Sequence, residues 1–125
     1  HSTQTILVVE DNDLVRHYAI SQLRDAGYQV LAAADGHQAL NWLASAQQID
    51  LLFTDMLMPG GISGHELAKQ AKQLRQTLPV LYTSGYTEKV LTDEEKQNGS
   101  IPILNKPYHR AALLNRVAQM LTYKT

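Results

Sequence analysis

Short, uninterrupted apolar runs recur along the chain, and longer amphipathic stretches separate them. Residues 5–9 (TILVV) are β-branched or apolar throughout. Such a run suits a strand covered on both faces, because a strand with one wet face alternates apolar and polar residues. Residues 28–32 (YQVLA), 49–54 (IDLLFT), 79–83 (PVLYT) and 101–104 (IPIL) repeat the theme. The second is the weakest and reads as a strand near an edge.

The intervening stretches carry helical signals. Asn12 or Asp13 can cap a first helix with Leu14, Tyr18 and Leu23 among its apolar positions, and Gly27 suits its end. Asp35 can cap a second, striped by Ala39, Leu40, Leu43 and Ala44. Ser63 begins a third, where Leu67, Ala71, Leu74 and Leu78 keep helical spacing. Leu114, Val117, Ala118 and Leu121 stripe the last. Residues 87–99 fit least well: beyond Val90 and Leu91 nothing apolar anchors them, so a short, loosely packed helix is expected. Five strands alternating with five helices predict an α/β fold with a parallel sheet, since parallel strands need crossovers. A chain of 125 residues suits one such domain, and 44% hydrophobic residues can fill its core.

Ligands in this fold class bind beyond the carboxyl ends of the strands. Strand one ends in Glu10-Asp11, strand three in Asp55, strand four in Thr83-Ser84-Gly85 and strand five in Asn105-Lys106-Pro107. Each has an ordinary reading. Asp11 can cap a helix, Glu10 can be a solvated charge, Asp55 and Ser84-Gly85 can form turns, and Lys106-Pro107 can be plain loop. Their coincidence at one sheet edge favours chemistry. Three close carboxylates repel, so they must take up protons or a cation. Hard oxygen ligands in an open site suit Mg²⁺. A lysine and a hydroxyl can hold phosphoryl oxygens, leaving Asp55 as a nucleophile for aspartyl-phosphate chemistry.

Other classes fit less well. A formal net charge of -1 lacks the basic footprint of a nucleic-acid binder. With no Cys, disulfides and thiolate metal sites are excluded. No apolar run approaches the roughly 20 residues of a membrane span, and membrane contact by this domain is not expected. The five His residues show no metal-ligand spacing and read as surface or capping groups. The start at His1 and the polar lead 1–4 are read as the edge of an excised piece, with tag residues as one source, leaving a domain over 5–122.

The segments LVVEDN (7–12), FTDMLMPG (53–60), YTSGY (82–86) and NKPY (105–108) resemble those of the response-regulator receiver domains of two-component signalling, in the style attached to hybrid histidine kinases. The resemblance implies a flavodoxin-like three-layer sandwich with strand order 2-1-3-4-5. It makes Asp55 the phosphoacceptor, with Ser84 and Lys106 on the phosphoryl group. Asp11, Asp55, the backbone carbonyl of Leu57 and, through water, Glu10 would serve Mg²⁺ or Mn²⁺. The implied donor is a phosphohistidine on a histidine kinase or phosphotransfer protein. The implied location is cytoplasmic, or the cytoplasmic part of a membrane-bound kinase. A cis Lys106–Pro107 bond is expected, and a weak homodimer is left open.

Three features depart from the common pattern. Residues 60–64 (GGISG) are one residue longer than the usual loop after the phosphoacceptor. Ile103 stands where many receivers carry an aromatic switch residue, and the fourth helical segment is unusually polar. A pseudo-receiver, a binding module without phosphorylation, is the alternative reading. A haloacid-dehalogenase-like phosphatase would need an acid two positions after the nucleophile, where this chain has Leu57. With Leu57 and Tyr86 flanking the site, neither side chain aids an attacking water. A phosphoryl lifetime of minutes or longer is therefore expected.

Overall fold

The structure is a computed structural model, described here for residues 4–56, 61–84 and 103–122. Its sheet has five parallel strands: β1 (Thr5–Val9), β2 (Gln29–Ala33), β3 (Leu51–Asp55), β4 (Val80–Ser84) and β5 (Ile103–Asn105). Their order is β2-β1-β3-β4-β5, as the resemblance implies. Among the described residues there are four helices: α1 (Asp13–Asp25), α2 (Gly36–Ala44), α3 (Gly64–Leu74) and α4 (Arg110–Thr122). The helix expected within 87–99 lies outside the described residues.

Alternation along each inner strand sorts the core into two layers. Ile6, Val8, Phe53, Leu81 and Leu104 pack with Ala19, Ile20 and Leu23 of α1 and Leu113, Val117 and Leu121 of α4. Leu7, Val9, Leu52 and Val80 pack with Ala39 and Leu43 of α2 and Leu67, Ala68 and Ala71 of α3. Every residue of β1 is buried, which is why its sequence shows no polar alternation. The weaker β2 has exposed Gln29 and Ala32 and forms one edge of the sheet.

Capping follows the local chemistry. Asn12 accepts from the amide of Val15, Asp35 from Gln38 and Ser63 from Glu66, each satisfying a donor at a helix start. Gly27 follows α1 at φ 104°, a conformation that residues with a Cβ rarely adopt.

The helix faces differ from the expected stripes in several places. Leu14 is 81% exposed, because α1 turns Ala19, Ile20 and Leu23 to the sheet instead. Leu74 is half exposed at the end of α3, and Ala44 is exposed on α2. On α4 the buried line is Leu113, Val117 and Leu121, one position away from the expected Leu114 and Ala118. Several phases satisfy a helical period when apolar residues are plentiful; contact with the sheet selects one.

Gly64 opens α3 directly against the end of β3. Its amide donates to the Met56 carbonyl at 2.9 Å, and a Cβ placed there would lie 2.0 Å from the Asp55 carbonyl oxygen. The obstacle is backbone, so it cannot swing aside. Gly64→Ala is therefore expected to destabilise the domain by about 1–3 kcal/mol, as overpacking does. Urea unfolding of the variant against the parent checks this; an unchanged midpoint would mean that α3 moves freely relative to β3.

Candidate functional site

Asp55 closes β3 in the middle of the sheet and is 3% exposed. Beside it, Glu10 follows β1 and is 4% exposed. The Glu10 amide donates to the Ala33 carbonyl at 3.1 Å, which extends the β1–β2 ladder and fixes where this side chain leaves the sheet. Asp11 comes next and is exposed. One carboxylate oxygen from each of Glu10, Asp11 and Asp55 lies within 4.8 Å of the others.

Lys106 enters from the far side. Its amide donates to the Ser84 carbonyl at 2.9 Å, adding a rung beyond β5. Its ammonium then lies 3.0 Å from Asp55 Oδ2 and 2.9 Å from Glu10 Oε1. The following Lys106–Pro107 bond is cis, as expected. Ser84 is buried at the end of β4, one residue past Thr83, the register partner of Asp55. The sequence-derived set Glu10, Asp11, Asp55, Ser84 and Lys106 thus gathers at one sheet edge. Leu57 lies outside the described residues, as does Tyr86.

The electrostatics follow from burial. Loss of solvent raises the Glu10 pKa from 4.5 to about 6, with the charge of Asp55 adding to the rise. Hydrogen bonds from Lys106 and the Asn12 amide oppose it. Burial alone would depress Lys106, but its hydrogen bonds to Glu10 and Asp55 and their charges outweigh that, and its pKa stands above 10.5. Three ionised carboxylates and one ammonium leave two uncompensated negative charges. Together with clustered hard oxygen donors, that fits a divalent cation of the Mg²⁺ type.

Two groups were not singled out from the sequence. Tyr108 has its ring centroid 6.0 Å from that of Phe53, in an edge-to-face pair, and 6.0 Å from that of Tyr18 on α1. Burial, followed by the negative charges near it, pushes its phenol well above the usual range. Arg16 places its guanidinium on the loop that carries the acids. An aromatic residue two places after the lysine hinted at the first; nothing in the spacing marked the second.

A family model described as the response regulator receiver domain matches residues 6–118. The chain belongs to that family. A response regulator receiver protein, CpdR of Brucella abortus, is 30% identical over 93% of this chain and 95% of its own length. The sensor histidine kinase RcsC of Escherichia coli is 37% identical over 94% of this chain, which spans only 12% of that protein. Among solved structures, the receiver domain of the hybrid histidine kinase CckA is 40% identical, with a TM-score of 0.77, covering 94% of this chain and 98% of that one. A response regulator receiver protein from Sinorhizobium medicae is 30% identical, with a TM-score of 0.85, covering 99% and 98%. Among the described residues of this receiver domain, no helix is long and apolar enough to cross a membrane.

The raised Glu10 pKa sets a pH dependence in the metal-free receiver. A carboxyl that holds its proton more tightly when folded stabilises the fold below its unfolded pKa of 4.5, and that stabilisation is lost as pH rises through about 6. The shift corresponds to ~2 kcal/mol. In chelator-treated protein, the unfolding free energy of the parent relative to Glu10→Gln should fall by about that amount between pH 4 and 7. A flat difference across the range would contradict the burial argument.

Proposed function

We propose that the domain is a phosphoacceptor in a two-component phosphorelay, with Asp55 receiving the phosphoryl group from a phosphohistidine. The donor is a sensor histidine kinase or a histidine phosphotransfer protein. The observation that carries the reading is the Asp55 carboxylate itself: buried, 3.0 Å from a lysine ammonium and within 4.8 Å of two further acids. A buried carboxylate in that setting has little structural purpose, because Lys106 neutralises only one of the charges.

In the proposed step a carboxylate oxygen of Asp55 attacks phosphorus, the phosphorus–nitrogen bond of phosphohistidine breaks, and the imidazole leaves. Asp11, Asp55 and the Leu57 carbonyl would hold Mg²⁺ or Mn²⁺, with Glu10 acting through water. When bound, that cation neutralises charge on the phosphoryl oxygens as they approach the acids. Lys106 supplies a second cation, already aimed at Asp55, so little reorganisation precedes attack. Ser84 donates a hydrogen bond to another phosphoryl oxygen. The acyl phosphate adds charge beside β4 and biases the conformation of the segment that follows it.

The domain spans 5–122 in this reading and turns over no external substrate, because the position two residues past Asp55 is Leu57 rather than an acid. Several relatives, 29–37% identical to this chain, are sensor or hybrid histidine kinases, and a cytoplasmic position in such a parent chain suits the chemistry. Neither nucleic acid nor membrane is engaged by this domain.

Incubation with acetyl phosphate and Mg²⁺ is expected to give an acid-stable, base-labile adduct on the parent and none on Asp55→Asn. Equal labelling of that variant would remove Asp55 from its role. No labelling of a folded parent would leave a pseudo-receiver that binds partners without chemistry. After removal of the donor, the adduct is expected to persist for minutes; loss within seconds would mean that a group other than Leu57 or Tyr86 orients water.

A further inference from the structure

We infer that Arg16 is the positioning residue that sets the relative orientation of Glu10 and Asp11 for cation binding, an inference that rests on the function proposed above. Its Nη1 donates to the Glu10 carbonyl oxygen at 2.8 Å. That oxygen belongs to the peptide joining the two acids, so the guanidinium fixes the plane about which Asp11 would swing relative to Glu10. Nη2 reaches Asp13 Oδ1 at 2.5 Å, tying the start of α1 to the same group. The side chain is 14% exposed and is thus mostly buried. The backbone amide of Arg16 donates to Asn12 O at 2.9 Å, and the Asn12 amide donates to Glu10 Oε2 at 3.1 Å. The last two bonds are independent of the Arg16 side chain, whose own contacts are the Glu10 carbonyl and the Asp13 carboxylate at the two ends of the loop.

The charge of Arg16 makes the case sharper. A cation on the loop that carries Glu10 and Asp11 competes electrostatically with a divalent ion, even when paired with Asp13, so for Coulombic purposes alone the site is better without it. The two roles predict opposite signs. Loss of a mere charge tightens Mg²⁺ binding, whereas loss of a positioning contact weakens it, and removal of such supporting contacts typically costs about 10–100-fold in metal affinity.

The test uses the whole 125-residue chain, titrated with Mg²⁺ alone and followed by the backbone amide signals of Asp11 and Asn12 in NMR spectra. Arg16→Met keeps the unbranched apolar stem of the side chain and removes its donors. It is expected to bind Mg²⁺ about tenfold or more weakly than the parent, while a dispersed amide spectrum shows that the fold persists. Arg16→Lys keeps the charge but cannot bridge Glu10 and Asp13 with a planar fork, so it should recover only part of the affinity. Parent-like or tighter binding by Arg16→Met overturns the inference and leaves the phosphoacceptor reading intact. If Arg16→Met does not fold, Arg16→Lys decides: several-fold weakening supports the inference and parent-like affinity overturns it. A parent that binds no Mg²⁺ overturns both.

Discussion

Two carboxylates enclosed at the end of a sheet must have a counter-charge, and Lys106 supplies it to both. Its ammonium stands 2.9 Å from Glu10 and 3.0 Å from Asp55, and its own burial is tolerated only because the acids are there. Remove Lys106 and both acids are left as buried, uncompensated charge, a costly state in a protein interior; remove either acid and the lysine still has the other as its partner. The arrangement also explains why the site is built from three different strand ends. Parallel strands bring the two acids and the lysine together with their backbones satisfied, Glu10 and Lys106 each by a rung one residue past the end of its strand.

Much of this was legible in the sequence, for reasons that differ by element. The inner strands β1 and β3 were readable because residues such as Leu7 and Leu52, facing one helical layer, alternate with Val8 and Phe53, facing the other. The caps Asp35 and Ser63 were readable because their chemistry is local, and Asn12 was one of two candidates with Asp13, between which the structure selects Asn12. Helix phase was not. Leu14 fits the period of α1 as well as Leu23 does, yet one is exposed and the other wholly enclosed. Only the position of the sheet distinguishes them. For the site, strand ends and residue types sufficed to gather Glu10, Asp11, Asp55 and Lys106. Arg16 escaped because its contacts are made to a backbone carbonyl and a neighbouring side chain, a relation that no spacing pattern encodes.

Aromatic residues flank the strand ends in both layers. Ile103, partly buried on β5, pairs in register with Tyr82 of β4 rather than offering a ring of its own. The ring instead comes from Tyr108, beyond the cis proline, and it contacts Phe53 two residues before Asp55 and Tyr18 on α1. A continuous line of rings therefore runs from the strand that ends in Asp55 to an outer helix. On the opposite face, His65 at the start of α3 lies 5.2 Å from the ring of Tyr82. The strand ends are thus flanked by aromatic contacts on both layers of the sandwich.

The rung between the Lys106 amide and the Ser84 carbonyl has a mechanical meaning. It ties the root of a long, pliable side chain to the main chain of a short one. Whatever tugs on the tip of β4 displaces the anchor of the lysine as well, and the two residues travel as a coupled pair. A disturbance on either side is thereby shared before any side-chain torsion has changed.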